Sequence, residues 1–235
     1  MRLLKNPLIF ALDVDTEDEV LKKLKPVIDL VGGVKIGPRL AYRYGASLIQ
    51  KIAEQTSVFV DNKYFDIPST MKAAVKATFD AGATLVTVHA MAGSEALQLL
   101  AKLEAELNAQ RPFKILAVTI LTSWEKSSLP ENFHSWSIEN HVKSLSQLAY
   151  QAGVRGLVCS GHELNLIPQN DFFKVVPGIR LSSDRAVETS EDQKRIMTPK
   201  QAMKAGAQAL VVGRPILDSS DPRQTVLEIL ESCSS

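Results

Sequence analysis

The sequence predicts an α/β fold of the (β/α)8 TIM-barrel class, organised as a single domain over residues 1–235. Three observations carry that expectation. Short apolar runs alternate with longer amphipathic stretches along the whole chain. The apolar runs are nearly continuous in Val, Ile and Leu, the pattern of strands buried on both faces of a parallel sheet. Eight such strand–helix units in 235 residues fill a (β/α)8 barrel with little chain to spare.

In chain order the strands are expected at Ile9–Val14, Gly33–Ile36, Val58–Lys63, Leu85–His89, Ile115–Ile120, Gly156–Cys159, Phe173–Val176 and Ala209–Val212. Helical spacing marks Ala46–Ala53, Met71–Ala81, Glu95–Leu107, His141–Ala152 and Pro199–Ala205. Directly after the first strand, Thr16-Glu17-Asp18-Glu19 has the form of a capping box and opens a helix. Ala81-Gly82-Ala83, Ala152-Gly153-Val154 and Ala205-Gly206-Ala207 close three helices with a glycine suited to the left-handed position after the cap. A doubly wound sheet would want a glycine-rich turn after its first strand. That turn reads Asp13-Val14-Asp15-Thr16 instead.

Composition narrows the function. Hydrophobic residues make up 45% and charged residues 23%, an ordinary globular mix. A formal net charge of +1 lacks the broad basic field of a nucleic-acid binder. No apolar run is long enough to span a bilayer, and the N-terminal apolar stretch runs straight into Asp13 and Asp15. The chain therefore reads as a soluble, cytoplasmic protein. Its two cysteines, Cys159 and Cys233, form neither a disulfide framework nor a zinc motif. Cys159 ends an apolar run and reads as a buried structural thiol.

In a barrel the chemistry sits at the C-terminal ends of the strands. There the sequence places Asp13, Lys35, Asp61 with Lys63, and His89. Side chains alternate along a strand, so Asp61 and Lys63 share one face. A lysine beside carboxylates keeps its proton and is suited to donating it to a carbanion. A structural ion pair at the rim is the alternative from spacing alone. Asp66 lies three residues on, in the loop. Pro177-Gly178-Ile179-Arg180 and Gly213-Arg214 close the last two strands, where barrels commonly bind phosphate through backbone N–H groups and a cation. Two glycine turns with solvated arginines are the alternative there. Between them, the polar segment Leu181–Arg195 has the length of a lid or a disordered insertion.

Taken together, these residues resemble the orotidine 5′-phosphate decarboxylase family, collinearly from Ile9 to Ile216. The markers are Leu12-Asp13-Val14-Asp15, Val34-Lys35-Ile36-Gly37, Asp61-x-Lys63-x-x-Asp66-Ile67-Pro68 with Thr70, Val88-His89-Ala90, Leu121-Thr122-Ser123, Pro177 to Arg180, Gln193 and Gly213-Arg214. The resemblance implies decarboxylation of orotidine 5′-phosphate to UMP without cofactor or metal. It implies that Lys63 protonates C6, flanked by Asp61 and Asp66, and that Asp13 and Lys35 hold ribose hydroxyls. Thr122 and Ser123 would meet the pyrimidine, while Gln193, Arg214 and the Gly213 backbone grip the phosphate beside Pro177 and Arg180. It also implies a homodimer in which Asp66, Ile67 and Thr70 reach the partner's site. The chain departs from the family's usual third-strand motif at Asn62, Phe65 and Ser69.

Other readings are metal-dependent sugar-phosphate decarboxylases or hexulose-phosphate synthases, which share Asp-x-Lys-x-x-Asp but want an extra carboxylate near strand two, where Lys35 stands. A phosphate-binding isomerase barrel gives no reason for Asp61 and Lys63, and a catalytically dead nucleotide binder gives none for an intact ionisable trio.

Overall fold

The computed structural model describes residues 3–125, 127, 129–168, 171–181 and 197–234. Eight parallel strands close a barrel in chain order: β1 (Leu8–Ala11), β2 (Gly33–Ile36), β3 (Ser57–Tyr64), β4 (Leu85–His89), β5 (Lys114–Val118), β6 (Gly156–Val158), β7 (Phe173–Val176) and β8 (Ala209–Val212). β8 pairs back onto β1 through Leu8 with Leu210 and Phe10 with Val212. Around them run α1 (Glu17–Leu24), α2 (Pro38–Ala53), α3 (Pro68–Asp80), α4 (Gly93–Asn108), α5 (Ile138–Gln151), α6 (Pro199–Lys204), α7 (Arg214–Leu217) and α8 (Pro222–Ser234).

Strand alternation divides the core into two layers. Ile9, Ala11, Phe59, Leu85, Leu116, Val118, Val158, Val175, Ala209 and Val211 fill the barrel interior. The residues between them, such as Phe10, Val34, Val58, Val60, Val86 and Val88, pack outward under the helices. Both faces are apolar, hence the unbroken Val/Ile/Leu runs.

The helix ends form as their sequences dictate. Thr16 caps α1, its hydroxyl accepting from the Glu19 amide while the Glu19 carboxylate accepts from the Thr16 amide. Gly82, Gly153 and Gly206 have φ of 106°, 93° and 98°. Each donates to the carbonyl three residues back, and the next residue reaches five back, the paired bonds of a Schellman motif.

Three expectations need correction. β1 ends at Ala11 rather than Val14, because the chain after Leu12 turns out into the α1 cap and leaves Asp13 on the rim. α2 begins at Pro38, well before Ala46, with a break at Gly45 where φ is 58°. Leu40 is the one buried residue before that break, so no apolar stripe announces the first half. β3 runs to Tyr64 and carries extra chain, described below. Cys159 is buried, and burial pushes its thiol well above the ordinary range, as befits a structural residue. No helix among the described residues is long and apolar enough to cross a membrane.

At Gly156, β5 leaves no room for a side chain on β6. A Cβ there would lie 2.3 Å from the Ile115 carbonyl oxygen and 2.7 Å from Leu116 Cδ2. Gly156→Ala is expected to destabilise the protein by about 1–3 kcal/mol, as over-packed cores do, read as a lowered urea midpoint at unchanged m. An unshifted midpoint would contradict the contact.

Candidate active site

The barrel register sets ionisable side chains of β1, β2 and β3 in a row at the C-terminal mouth. Lys35, on the inward face of β2, places Nζ 3.0 Å from Asp13 Oδ1 and 3.8 Å from Asp61 Oδ2. Lys63 Nζ lies 2.9 Å from Asp61 Oδ1. The order across the mouth is Asp13, Lys35, Asp61, Lys63, with charges alternating throughout. Lys35 and Asp61 keep 12% and 15% of their side-chain surface, whereas Asp13 is open to solvent. The row therefore has a shielded centre, where the attraction is least screened.

Lys63 reaches this position through an irregular strand. Val60 pairs with Val86 and Tyr64 with Val88, so four steps along β3 face two along β4. Within this bulge Lys63 adopts φ of 48°, the one positive φ of any non-glycine among the described residues. That conformation costs about 1–2 kcal/mol for a residue with a Cβ, and such strain gathers at functional sites. The Lys63 amide donates to the Thr87 hydroxyl at 2.9 Å, and the same oxygen lies 2.9 Å from Asp61 Oδ1, to which it donates. Thr87 was not anticipated from the sequence. A threonine in Leu-Val-Thr-Val-His is an ordinary strand residue, and its one signal is sharing the inward face with His89.

The remaining expected residues divide. Asp66 does not join the row within one protomer: its Oδ1 accepts the Ile67 amide at 2.6 Å, and it makes no ion pair among the described residues. Asp66 and Lys63 nonetheless line one cavity of about 270 Å³ with Tyr42, Tyr64, Phe65 and Thr70. Ile67 and Phe65 are 63% and 62% exposed. Thr122 and Ser123 form a turn after β5, closed by the Trp124 amide on the Leu121 carbonyl. Pro177 to Arg180 follow β7, where Ile179 bridges to Met197. Gly213 stands beside Asp13: a Cβ on it would lie 3.6 Å from Asp13 Oδ2, so β8 brings Gly213 and Arg214 to the same mouth. Gln193, with all of Leu181–Arg195 beyond Leu181, lies outside the described residues. A wider groove along α5, lined by Trp136, Lys143 and Asn165, contains none of the charged row.

His89 closes the mouth on the β4 side. Its Nδ1 accepts the Met91 amide at 3.3 Å, which assigns the proton to Nε2, and its ring packs 5.6 Å from Phe65. Burial first, and the Lys63 ammonium second, hold its pKa below the ordinary 6.5. The unfolded chain then binds the proton more tightly than the native one. The stabilisation from neutral His89 is complete above pH 6.5 and lost as pH falls through the lower native value. The urea midpoint of the wild type is expected to fall on acidification in that window, and His89→Gln to fall less steeply there. Parallel pH profiles would contradict the assignment.

The chain is similar over nearly its whole length to known proteins. The profile of the orotidine 5′-phosphate decarboxylase / HUMPS family matches residues 6–229. Orotidine 5′-phosphate decarboxylase of Rhodopseudomonas palustris (strain BisB5) is 39% identical over 230 residues, spanning 96% of this chain and 94% of that protein. The enzyme of that name from Dichelobacter nodosus (strain VCS1703A) is 37% identical over 229 residues, with 96% and 97% covered. The crystal structure of orotidine 5′-phosphate decarboxylase from Lactobacillus acidophilus superposes with a TM-score of 0.83 at 33% identity, covering 98% of this chain and all of that one. A closed barrel and near-full-length similarity agree: the chain belongs to the orotidine 5′-phosphate decarboxylase / HUMPS family.

Proposed function

We propose that this protein is a carboxy-lyase that converts orotidine 5′-phosphate to UMP and CO2, the decarboxylation that completes a pyrimidine nucleotide. The observation that carries the reading is the Lys63 ammonium held 2.9 Å from Asp61 at the end of an alternating row. Loss of CO2 leaves the electron pair of the broken C–C bond on C6 of the pyrimidine. Lys63 delivers a proton from Nζ to that carbon, and solvent restores its charge. A cation fixed where negative charge develops stabilises the transition state without reorganising. Asp61 carries the same charge as the substrate carboxylate, and repulsion relieved as CO2 departs adds to the drive.

Asp13 and Lys35 suit ribose hydroxyls, one as acceptor and one as donor. Gly213, Arg214, Pro177 and Arg180 lie where a barrel binds phosphate, with Gln193 as a further donor and Thr122 and Ser123 toward the base. Phosphate binding far from C6 supplies energy that closes the site around the reacting carbon. The second-strand position holds Lys35, whose ammonium occupies the space between the Asp13 and Asp61 carboxylates. That arrangement favours reaction by side chains alone over the metal-dependent branch of the family.

The site is shared between subunits in this reading. Asp66, unpaired in its own chain among the described residues, would complete the partner's row, with Ile67 and Thr70 beside it. The exposed Tyr42, Phe65 and Ile67 around it form the kind of apolar patch that a second copy covers.

Purified protein is expected to bleach the absorbance of orotidine 5′-phosphate in EDTA, yielding UMP. Turnover that requires Mg2+, or appears only with a hexulose phosphate, would move the protein to the other branch. Lys63→Ala is expected to lose decarboxylation while still binding UMP; near-normal turnover would remove Lys63 from its role. Mixing inactive Lys63→Ala with inactive Asp66→Asn subunits is expected to restore about a quarter of wild-type activity, since half the dimers are hybrids with one intact site. No recovery after subunit exchange would contradict the shared site.

A further inference from the structure

We propose that Thr87 is a positioning residue for Lys63 and Asp61, its one hydroxyl setting the geometry of both. The inference rests on the decarboxylase reading above and goes beyond it, because Thr87 touches neither substrate nor the reacting carbon.

The bulge in β3 removes the regular ladder between Val60 and Tyr64. A bulged residue loses its main-chain partner and must find another. The Lys63 amide finds the Thr87 oxygen at 2.9 Å. That amide only donates and the Asp61 carboxylate only accepts, so the single Thr87 proton is directed at Asp61 Oδ1, 2.9 Å away. Asp61 Oδ1 also receives Lys63 Nζ. The backbone of Lys63, its ammonium and its counter-charge thus meet around one hydroxyl. Thr87 is fully buried, so water does not stand in for it.

The residues on either side of Lys63 are held from the opposite face. Asn62 Nδ2 donates to Tyr64 Oη at 3.2 Å, and Tyr64 Oη lies 2.8 Å from Thr78 Oγ1. Thr78 gives its own proton to the Ala74 carbonyl, so Tyr64 is the donor in that pair. This outer chain ties the bulge to α3 and makes no bond to Asp61. Thr87 on β4 is the inner tie, and it alone joins the positive-φ backbone to the carboxylate. Without its hydroxyl, the Lys63 amide and one site of Asp61 lose their partner, and the ammonium is free to drift. Misplacement of a reacting group by about 1 Å can cost roughly 10²-fold in rate.

Three substitutions separate hydroxyl from volume. Thr87→Val keeps the shape and removes the hydroxyl; Thr87→Ser keeps the hydroxyl and removes the methyl; Thr87→Cys offers a sulfur, a weak hydrogen-bonding group. Turnover of orotidine 5′-phosphate is expected to fall in the order Ser, Cys, Val, with Val down on the order of 10²-fold in kcat and UMP inhibition unchanged in all three. A packing role predicts the reverse, with Val near wild type and Ser worst, and that order would overturn the proposal. If Val does not fold, Cys equal to wild type does so. The Lys63 amide gives a readout independent of turnover. Its hydrogen exchange should be protected in wild type and Ser but exposed in Val or Cys, and equal protection throughout would also overturn the proposal. Loss of the decarboxylase reading registers differently, as absence of turnover in the unsubstituted protein.

Discussion

The carboxylate of Asp61 is the constraint around which the mouth of this barrel is built. It lies between two ammonium groups, 2.9 Å from one and 3.8 Å from the other, with little of its surface in water. Two lysines brought this close without it would repel each other, and a carboxylate this shielded without them would be an expensive unpaired charge. Each neighbour answers that need. β2 aims Lys35 inward, β3 bulges to return Lys63 toward the carboxylate, and β4 supplies a third donor from Thr87. Asp13 then balances the far side of Lys35.

Beneath the row lies a dry floor of Phe59, Leu85, Leu116 and the other inward apolar side chains. The charged groups have nowhere to relax downward, and the closed ladder of eight strands leaves no edge to yield. His89 contributes by staying neutral, adding no further positive charge beside Lys63. Rigid strands below and a polar mouth above are what a site needs if its electrostatics are to be set before substrate arrives.

The sequence was informative where one residue type has one physical meaning. Continuous Val/Ile/Leu runs announced the parallel barrel, and glycines after Ala81, Ala152 and Ala205 marked three helix ends. Period-two alternation put Asp61 and Lys63 on one face, which the 2.9 Å contact realises. It was silent where meaning depends on a neighbouring strand. The surplus in β3 is a relation between Val60, Tyr64 and their β4 partners, and no local pattern encodes it. Thr87 is indistinguishable by type from any β-branched strand residue. Asp66 sits close to Lys63 along the chain, yet Pro68 starts a new helix and the loop between them turns Asp66 onto its own backbone. The first half of α2 escaped because Arg39, Tyr42 and Arg43 face solvent and interrupt the helical stripe.

The surplus in β3 also has a parity. Four steps on one strand against two on its neighbour is an excess of two, and two is the period of side-chain alternation. Val60 and Tyr64 therefore still face outward, into the helical layer, as they would in an uninterrupted ladder. An excess of one would have turned the rest of the strand inside out. The added pair therefore carries Asp61 and Lys63 at the mouth without turning the outward side chains of β3 away from the helices.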